Sequence, residues 1–158
     1  MQGTTETSTP MSRSAIMARV RSKDTRPELT IRRGLHALGY RFRLHRSDLP
    51  GRPDLTLSRY RAVIEVRGCF WHGHEGCGRR PNSRREFWDA KIDGNRARDE
   101  RNLAALREQG WRVLVVWECA MVGPGRWEAD ALIDAVSDWL RESEVVGQIA
   151  GRGVARGF

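Results

Sequence analysis

The sequence has no apolar run near the ~18–20 residues that a membrane-spanning helix requires. Its first ten residues are polar and lack the apolar core of a signal peptide, so we expect a cytoplasmic protein with no membrane partner. Only three cysteines are present, an odd number that argues against a closed disulfide framework and leaves metal ligation or free thiols. The chain shows no internal repeat, and its 158 residues fit one domain better than two.

Acidic side chains are outnumbered by basic ones, since 28 Lys and Arg stand against 20 Asp and Glu and give a net charge of +8. Most of the cations are arginine, whose planar guanidinium suits bidentate contacts with phosphates and bases. A nucleic acid is therefore the first partner to expect. The alternative is a basic protein that is merely soluble, because net charge does not show how the charges are arranged.

Helix and strand patterns alternate along the chain and predict an α/β fold, with helices on both faces of a mixed sheet. Thr25 and Glu28 match a capping box that opens a helix, which ends at Gly39. A second capping box at Ser83 opens a long helix with an interruption at Gly94. We expect strands at 40–44, 54–58, 61–65 and 111–117, and the later helices at 83–109 and 129–141.

The two ends of the chain differ in composition from its middle. Residues 1–12 are rich in Thr and Ser and predict a flexible tail, whereas 13–143 predict a single domain. Residues 13–21 can form a short basic helix that docks on the domain or on a nucleic acid. Residues 144–158 are Gly-rich and are interpreted as a C-terminal extension.

Two acidic residues come together if residues 54–65 form a β-hairpin. A turn at residues 59–60 pairs positions whose numbers sum to 119, so Asp54 lies opposite Glu65 on one face of the sheet. Two unpaired carboxylates that face each other favour a divalent cation or a raised pKa. The alternative is that both are ordinary strand ends in salt bridges with nearby arginines.

With the proline before Asp54, these residues resemble the P-D…(D/E)-x-K signature of restriction-endonuclease-like nucleases. That resemblance implies that Asp54, Glu65 and the main-chain carbonyl of Val66 bind Mg²⁺, while Arg67 faces the attacking water or the scissile phosphate. Arg67 is too basic to accept a proton, so another residue must activate the water. His72, five positions further along, is the best-placed candidate.

A second metal site is predicted just beyond this signature. Cys69, His74 and Cys77 supply three ligands within nine residues, and Cys119 directly follows the strand at 111–117. Four such ligands close a tetrahedral zinc site, which is structural because no position is left for water. His72 in place of His74 is the main alternative ligand, and three buried thiols beside a surface histidine are the alternative to a metal.

Aromatic residues flank both predicted sites. Phe70 and Trp71 lie inside the presumed zinc loop, and Phe87 and Trp88 lie near the start of the long charged helix. Aromatic side chains beside an arginine-rich surface can stack on bases or push between base pairs. Core packing is the alternative for each of them.

Four blocks of sequence resemble the very-short-patch-repair (Vsr) mismatch endonucleases: LPGRPD at 49–54, VIEVRGCFWHGH at 63–74, EFWDAKIDGN at 86–95 and GWRVLVVWEC at 110–119. The resemblance implies a restriction-endonuclease-like fold with structural Zn²⁺, and Mg²⁺-dependent nicking of one strand 5′ to the T of a T:G mismatch. Such mismatches arise when 5-methylcytosine deaminates. The resemblance therefore also implies a role in very short patch DNA repair. We expect a monomer that acts on double-stranded DNA in the bacterial cytoplasm, at the nucleoid. Its expected partners are a cytosine-5 DNA methyltransferase and mismatch-repair proteins.

The same resemblance implies a role for individual residues. Asp54 matches the metal-binding acid, His72 the histidine at the reactive water, and Glu28 the acid that supports it. The remaining matches are the zinc ligands Cys69, His74, Cys77 and Cys119, the intercalating aromatics Phe70, Trp71 and Trp88, and three residues near the mismatched pair, Met17, Lys91 and Asn95.

The chain departs from the family pattern inside the active-site signature. Val66 and Arg67 stand where the family carries Thr-His, Glu65 stands where it carries no acid, and one extra residue separates His74 from Cys77. We expect catalysis to survive, with the pH optimum, the metal preference and the strictness of T:G choice left open. A nickase for a broader range of mismatches or DNA structures is therefore one alternative, and a zinc-stabilised DNA-binding module without activity is another.

Overall fold

Residues 24–77 and 81–153 are described by a computed structural model, in which a five-stranded mixed sheet has helices on both faces. The strands, in their order across the sheet, are β1 (Arg43–Leu44), β2 (Leu55–Leu57), β3 (Ala62–Arg67), β4 (Arg112–Trp117) and β5 (Val146–Ile149). The helices are α1 (Arg26–Ala37), α2 (Arg85–Glu108) and α3 (Ala129–Arg141). The predicted α/β fold is confirmed, whereas the predicted tail, the basic helix at 13–21 and Met17 lie outside the described residues.

Helix α1 begins and ends as its sequence predicts. The Thr25 hydroxyl accepts a hydrogen bond from the N–H of Glu28 at 3.4 Å, and the Glu28 carboxylate accepts one from the N–H of Asp24 at 2.9 Å. Gly39 follows the helix with φ of +93°, the left-handed conformation that favours glycine. The N–H of Tyr40 then bonds to a carbonyl of the helix, so the next strand is shorter than predicted and pairs only at 43–44.

The hairpin between β2 and β3 has the predicted register. Leu55 pairs with Ile64, Thr56 with Val63 and Leu57 with Ala62, so every pair sums to 119. A single 3₁₀ turn at Ser58–Tyr60, followed by a left-handed residue, joins the two strands. The short loop therefore holds Asp54, just before β2, beside the end of β3.

Strand β4 lies in the interior of the sheet, parallel to both β3 and β5. Its side chains alternate between two apolar clusters: Leu114 and Val116 pack with α1 and α3, while Val113 and Val115 pack on the opposite face, where α2 contributes Leu106. All five side chains are fully buried, and each such burial is worth about 1.5–3 kcal/mol. The predicted placement of helices on both faces of the sheet is confirmed at β4.

Two local expectations for α2 are wrong. No side chain caps its first turn, where Arg84 adopts a left-handed conformation, so Ser83 does not form the predicted capping box. Gly94 does not interrupt the helix, which runs unbroken for 24 residues. An exposed helical glycine costs only about 1 kcal/mol, too little to break a helix that packs on a sheet.

The sheet continues into the segment predicted as a C-terminal extension, because β5 occupies positions 146–149. The predicted division of the chain into a tail, a domain and an extension stays a prediction. Within the two described ranges, no helix is long and apolar enough to cross a membrane.

Candidate active site and metal centre

A cavity of about 290 Å³ opens where β3 ends and β2 begins. Its wall combines carboxylates, imidazoles and guanidinium groups from β3, the loop at 68–77, helix α2 and the segment that precedes β2. The lining residues are His45, Gly51, Arg52, Asp54, Glu65, Val66, Arg67, His72, Asp99 and Asn102.

Asp54 is held by backbone groups on both sides of the hairpin. Its Oδ2 accepts a hydrogen bond from the N–H of Val66 at 2.7 Å, and its carbonyl accepts one from the N–H of His45 at 3.2 Å. The pKa of Asp54 is raised to about 7, chiefly by burial and also by the negative charges of Glu28 and Glu65, against the opposing effects of the Val66 bond and of Arg67. This carboxyl is poised to ionise when a cation approaches.

Glu65 and Arg67 form an ion pair on the same face of β3, two residues apart. The Nε of Arg67 donates to Glu65 Oε2 at 3.0 Å, and the two side chains are only 8% and 13% exposed for Arg67 and Glu65 respectively. The guanidinium carbon of Arg67 also lies 5.8 Å from the ring centre of Trp117. The salt bridge considered as an alternative for Glu65 is therefore present, and Arg67 is fixed at the cavity wall.

His72 lies on the opposite side of the cavity and is paired with Asp99 of α2. Its Nδ1 donates to Asp99 Oδ2 at 2.7 Å, which leaves Nε2 of the neutral ring as an acceptor. The His72 side chain is 31% exposed and reaches solvent. Sequence reasoning assigned Glu28 to support His72, but in the structure the partner of Glu28 is His45, at 2.6 Å.

Sequence reasoning missed Asp99 and His45. Asp99 lies in the run RARDER, where several charged residues look equivalent until the orientation of α2 is known. His45 directly follows β1, and its N–H bonds to the carbonyl of Asp54, which directly precedes β2. The pairing of β1 with β2 is the feature from which the position of His45 beside Asp54 could have been predicted.

The predicted metal centre assembles in the structure. The ligand atoms of Cys69, His74, Cys77 and Cys119 lie within 4.8 Å of one another, and this Cys₃His cluster could hold a metal ion. His74 Nδ1 is 3.5 Å from the sulfur of Cys69 and 3.6 Å from that of Cys119. A tetrahedral zinc with ordinary bond lengths separates sulfur and nitrogen ligands by about 3.6 Å, so the geometry fits zinc.

Neighbouring groups fix this cluster in place. The ring of His74 stacks on Trp117 with centres 4.1 Å apart and planes inclined by 3°, and the N–H of Gly151 donates to the sulfur of Cys119 at 3.2 Å. Burial raises the pKa of the Cys69 thiol, so a cation is needed to stabilise its thiolate. Between the two alternative histidines, His74 joins the cluster and His72 faces the cavity.

The aromatic residues form a separate cluster on the surface. Phe70, Trp71 and Trp88 surround one another with ring centres 5.1–6.2 Å apart, and all three are half-buried outside the two apolar cores. Lys91 Nζ lies 5.6 Å from the ring centre of Trp71, and the Asn95 amide donates to the Trp71 carbonyl at 2.9 Å. A partly exposed aromatic surface with a cation beside it can stack on nucleic-acid bases.

The chain is similar in sequence to several known proteins. The family model described as "DNA mismatch endonuclease Vsr" matches residues 5–79. "Type II nicking enzyme V.XorIIP" of Xanthomonas oryzae pv. oryzae is 54% identical over 127 residues, covering 79% of this chain and 93% of that protein. "DNA mismatch endonuclease Vsr" of Escherichia coli is 40% identical over 144 residues, covering 90% and 92%. "Type II nicking enzyme V.NmeAIP" of Neisseria meningitidis is 40% identical over 118 residues, covering 74% and 84%.

Proposed function

Because the chain belongs to the DNA mismatch endonuclease Vsr family, we propose that this DNA endonuclease nicks one strand 5′ to the T of a T:G mismatch in an Mg²⁺-dependent reaction. The observation that carries the proposal is the convergence of Asp54, Glu65, Arg67 and the His72–Asp99 pair on one cavity. A DNA-binding module without activity would have no need for this arrangement.

The oxygen atoms at the cavity suit a hard divalent cation. Asp54, Glu65 and the carbonyl of Val66 would hold Mg²⁺, which prefers oxygen ligands. When bound, this ion neutralises negative charge that develops on the scissile phosphate. Glu65 would share its carboxylate between the ion and Arg67, whose bond it already accepts.

His72 is the residue that we assign to water activation. Asp99 holds the ring with Nδ1 protonated, so Nε2 takes the proton of a water that attacks the phosphorus. One phosphodiester P–O bond breaks, and its oxygen leaves as a hydroxyl after taking a proton from solvent. Arg67 cannot accept a proton, but its guanidinium stabilises the phosphate charge. The roles of the two residues are thus separated by their chemistry.

The aromatic cluster would contact the mismatched region of the DNA. Phe70, Trp71 and Trp88 present ring surfaces for stacking or insertion, and Lys91 and Asn95 lie beside them on α2. We place Met17 near the mismatched pair on the family resemblance alone.

We assign Zn²⁺ to the Cys₃His cluster, where it would connect the loop at 68–77 to the end of β4. The cellular role would be very short patch repair of deaminated 5-methylcytosine by a monomer in the bacterial cytoplasm, at the nucleoid. A cytosine-5 DNA methyltransferase and mismatch-repair proteins are the proposed partners.

The proposal is tested by a nicking assay on end-labelled duplexes that carry each of the eight mismatches, with and without Mg²⁺, beside a matched duplex. We expect a single nick 5′ to T only in the T:G duplex. Asp54→Ala should abolish it while DNA binding persists, whereas Asp48→Ala, an exposed acid paired with Arg46, should not. Nicking of several mismatches would support the broader nickase, and nicking by the Asp54 variant would refute the assigned site.

A further inference from the structure

Glu28 is a buried carboxylate behind the cavity wall. Its side chain is 2% exposed, and both oxygens are engaged: Oε1 accepts from His45 Nε2 at 2.6 Å and Oε2 accepts from the N–H of Asp24 at 2.9 Å. A buried carboxylate with both oxygens bonded reaches DNA or water only by losing one of those bonds. Glu28 therefore acts on the reaction through a neighbour.

His45 is that neighbour, because it lines the cavity while it contacts Glu28. Its backbone N–H donates to the Asp54 carbonyl at 3.2 Å, and its Nε2 lies 3.9 Å from Asp54 Oδ1. The other carboxylate oxygen of Asp54 is bonded to Val66. Asp54 is thus flanked by Val66 on one side and by His45 on the other.

The backbone of His45 is in the left-handed region, with φ of +47°. This conformation costs free energy for a residue with a side chain, so it persists only where the surrounding structure determines it. Such residues are concentrated at functional sites. Here the conformation allows one residue to contact the Asp54 carbonyl with its N–H and Glu28 with its ring.

A metal ion is a second way to use this cluster, since ligand atoms of Asp24, Glu28 and His45 lie within 4.8 Å of one another. Arg32 already supplies a positive charge there, with Nη1 at 2.6 Å from Asp24 and 3.6 Å from Glu28. Arg32 offsets one of the two negative charges, and both oxygens of Glu28 are already bonded to protein groups, which favours a positioning role over a further metal site.

We propose that Glu28 and His45 are a positioning pair for Asp54. The Glu28 carboxylate fixes the imidazole of His45, and His45 fixes Asp54 in the orientation that its role at the cavity requires. This inference rests on the proposed function in assigning Asp54 to Mg²⁺. Loss of groups that orient a metal ligand commonly weakens metal binding by about 10–100-fold.

The test uses His45→Gly, because glycine adopts the left-handed backbone without strain, so the variant loses the side chain and keeps the backbone conformation. We expect the Mg²⁺ concentration for half-maximal nicking to rise about tenfold or more, with nicking recovering at saturating Mg²⁺. Glu28→Gln should also raise the Mg²⁺ concentration for half-maximal nicking. The double variant should need no more Mg²⁺ than the single variant with the larger defect. Arg61→Gly makes the same backbone change at φ of +50°, outside the cavity, and should leave the requirement unchanged.

A measurement without Mg²⁺ separates this inference from the proposed function. In urea unfolding of the zinc-loaded protein, the change in midpoint caused by Asp54→Asn should differ between the wild-type and His45→Gly backgrounds, because the two residues are in contact. If the changes in urea midpoint caused by the two substitutions simply add, the positioning pair is overturned. This outcome does not depend on whether the wild type nicks DNA. The positioning pair would also be overturned if His45→Gly needed no more Mg²⁺ than the wild type, or if the defect of the double variant equalled the product of the two single defects. Either result would leave the endonuclease assignment in place. His45→Asn, which also tolerates this backbone and keeps a hydrogen-bonding side chain, should restore part of the loss if the glycine variant folds poorly.

Discussion

Replacing the central acid Asp54 by Asn should abolish nicking and at the same time stabilise the Mg²⁺-free protein. The substitution keeps the size of the side chain, and its amide oxygen can still accept the bond from the N–H of Val66. It removes a negative charge that is buried beside Glu28 and Glu65. The residue that we assign to Mg²⁺ binding is therefore expected to destabilise the fold.

The magnitude follows from the pKa of Asp54, which burial raises from 3.8 to about 7. Since the folded protein holds this proton more tightly than the unfolded chain, the stability falls as the pH rises from about 4 to about 7 and is constant above that. The cost of ionisation is about 4 kcal/mol at pH 8 and about 2 kcal/mol at pH 5, each as an upper limit for a side chain that is partly in contact with water. Asp54→Asn should recover most of this free energy, and more of it at pH 8.

The measurement is urea unfolding of the zinc-loaded wild type and of Asp54→Asn, without Mg²⁺, at pH 5 and at pH 8. The difference in unfolding free energy between the two proteins gives the cost of ionisation at each pH. Asp48→Asn, at an acid whose side chain is 62% exposed, is the matched control and should change the stability little at either pH. Added Mg²⁺ should stabilise the wild type and not the Asp54 variant. Equal stabilities of wild type and Asp54→Asn at pH 8, or a larger gain at pH 5 than at pH 8, would refute the reasoning.

Three further predictions concern the Cys₃His cluster, the partner of His72 and the aromatic cluster. A closed four-ligand site is expected to bind about one equivalent of zinc, and Cys119→Ser should purify with far less. A full equivalent of zinc in this variant would contradict the ligand set. Asp99→Asn should slow nicking by about 100-fold or more without weakening DNA binding, because His72 loses the partner that sets its tautomer; an unchanged single-turnover rate would remove Asp99 from the site. Trp71→Ala should weaken binding of mismatched DNA by about 1–3 kcal/mol in a gel-shift titration, and equal affinity would remove Trp71 from the interface.

Features that depend on local chain geometry could be predicted from the sequence. The hairpin register follows from a short turn and alternating apolar residues, and it places Asp54 beside the end of β3 as expected. The metal cluster follows from the spacing of Cys69, His74 and Cys77, together with a cysteine directly after a buried strand. In each case a few neighbouring residues determine the geometry.

Features that depend on how distant elements pack could not be predicted in this way. Among the 24 residues of α2, only Ile92 and Leu106 are buried, so the apolar pattern is too sparse to show that Asp99 faces the cavity. Strand β5 has the sequence VGQI, which contains no strong strand pattern. It pairs with the edge of β4, and the absence of a side chain at Gly147 allows its close approach to Trp139, since a Cβ there would lie 2.3 Å from the indole Nε1.

From the charges around the cavity we expect Asp54 to be the residue most responsive to a cation. Glu28, Glu65 and Asp99 each accept a hydrogen bond from an imidazole or guanidinium side chain, which stabilises their ionised form. Asp54 accepts its bond from the neutral backbone of Val66 and has the carboxyl whose pKa burial raises to about 7. A divalent cation therefore gains most by contact with Asp54, whereas at Glu65 it competes with a guanidinium that is already bound. We therefore expect the proposed Mg²⁺ to depend more on Asp54 than on Glu65, because the guanidinium of Arg67 is already bonded to Glu65.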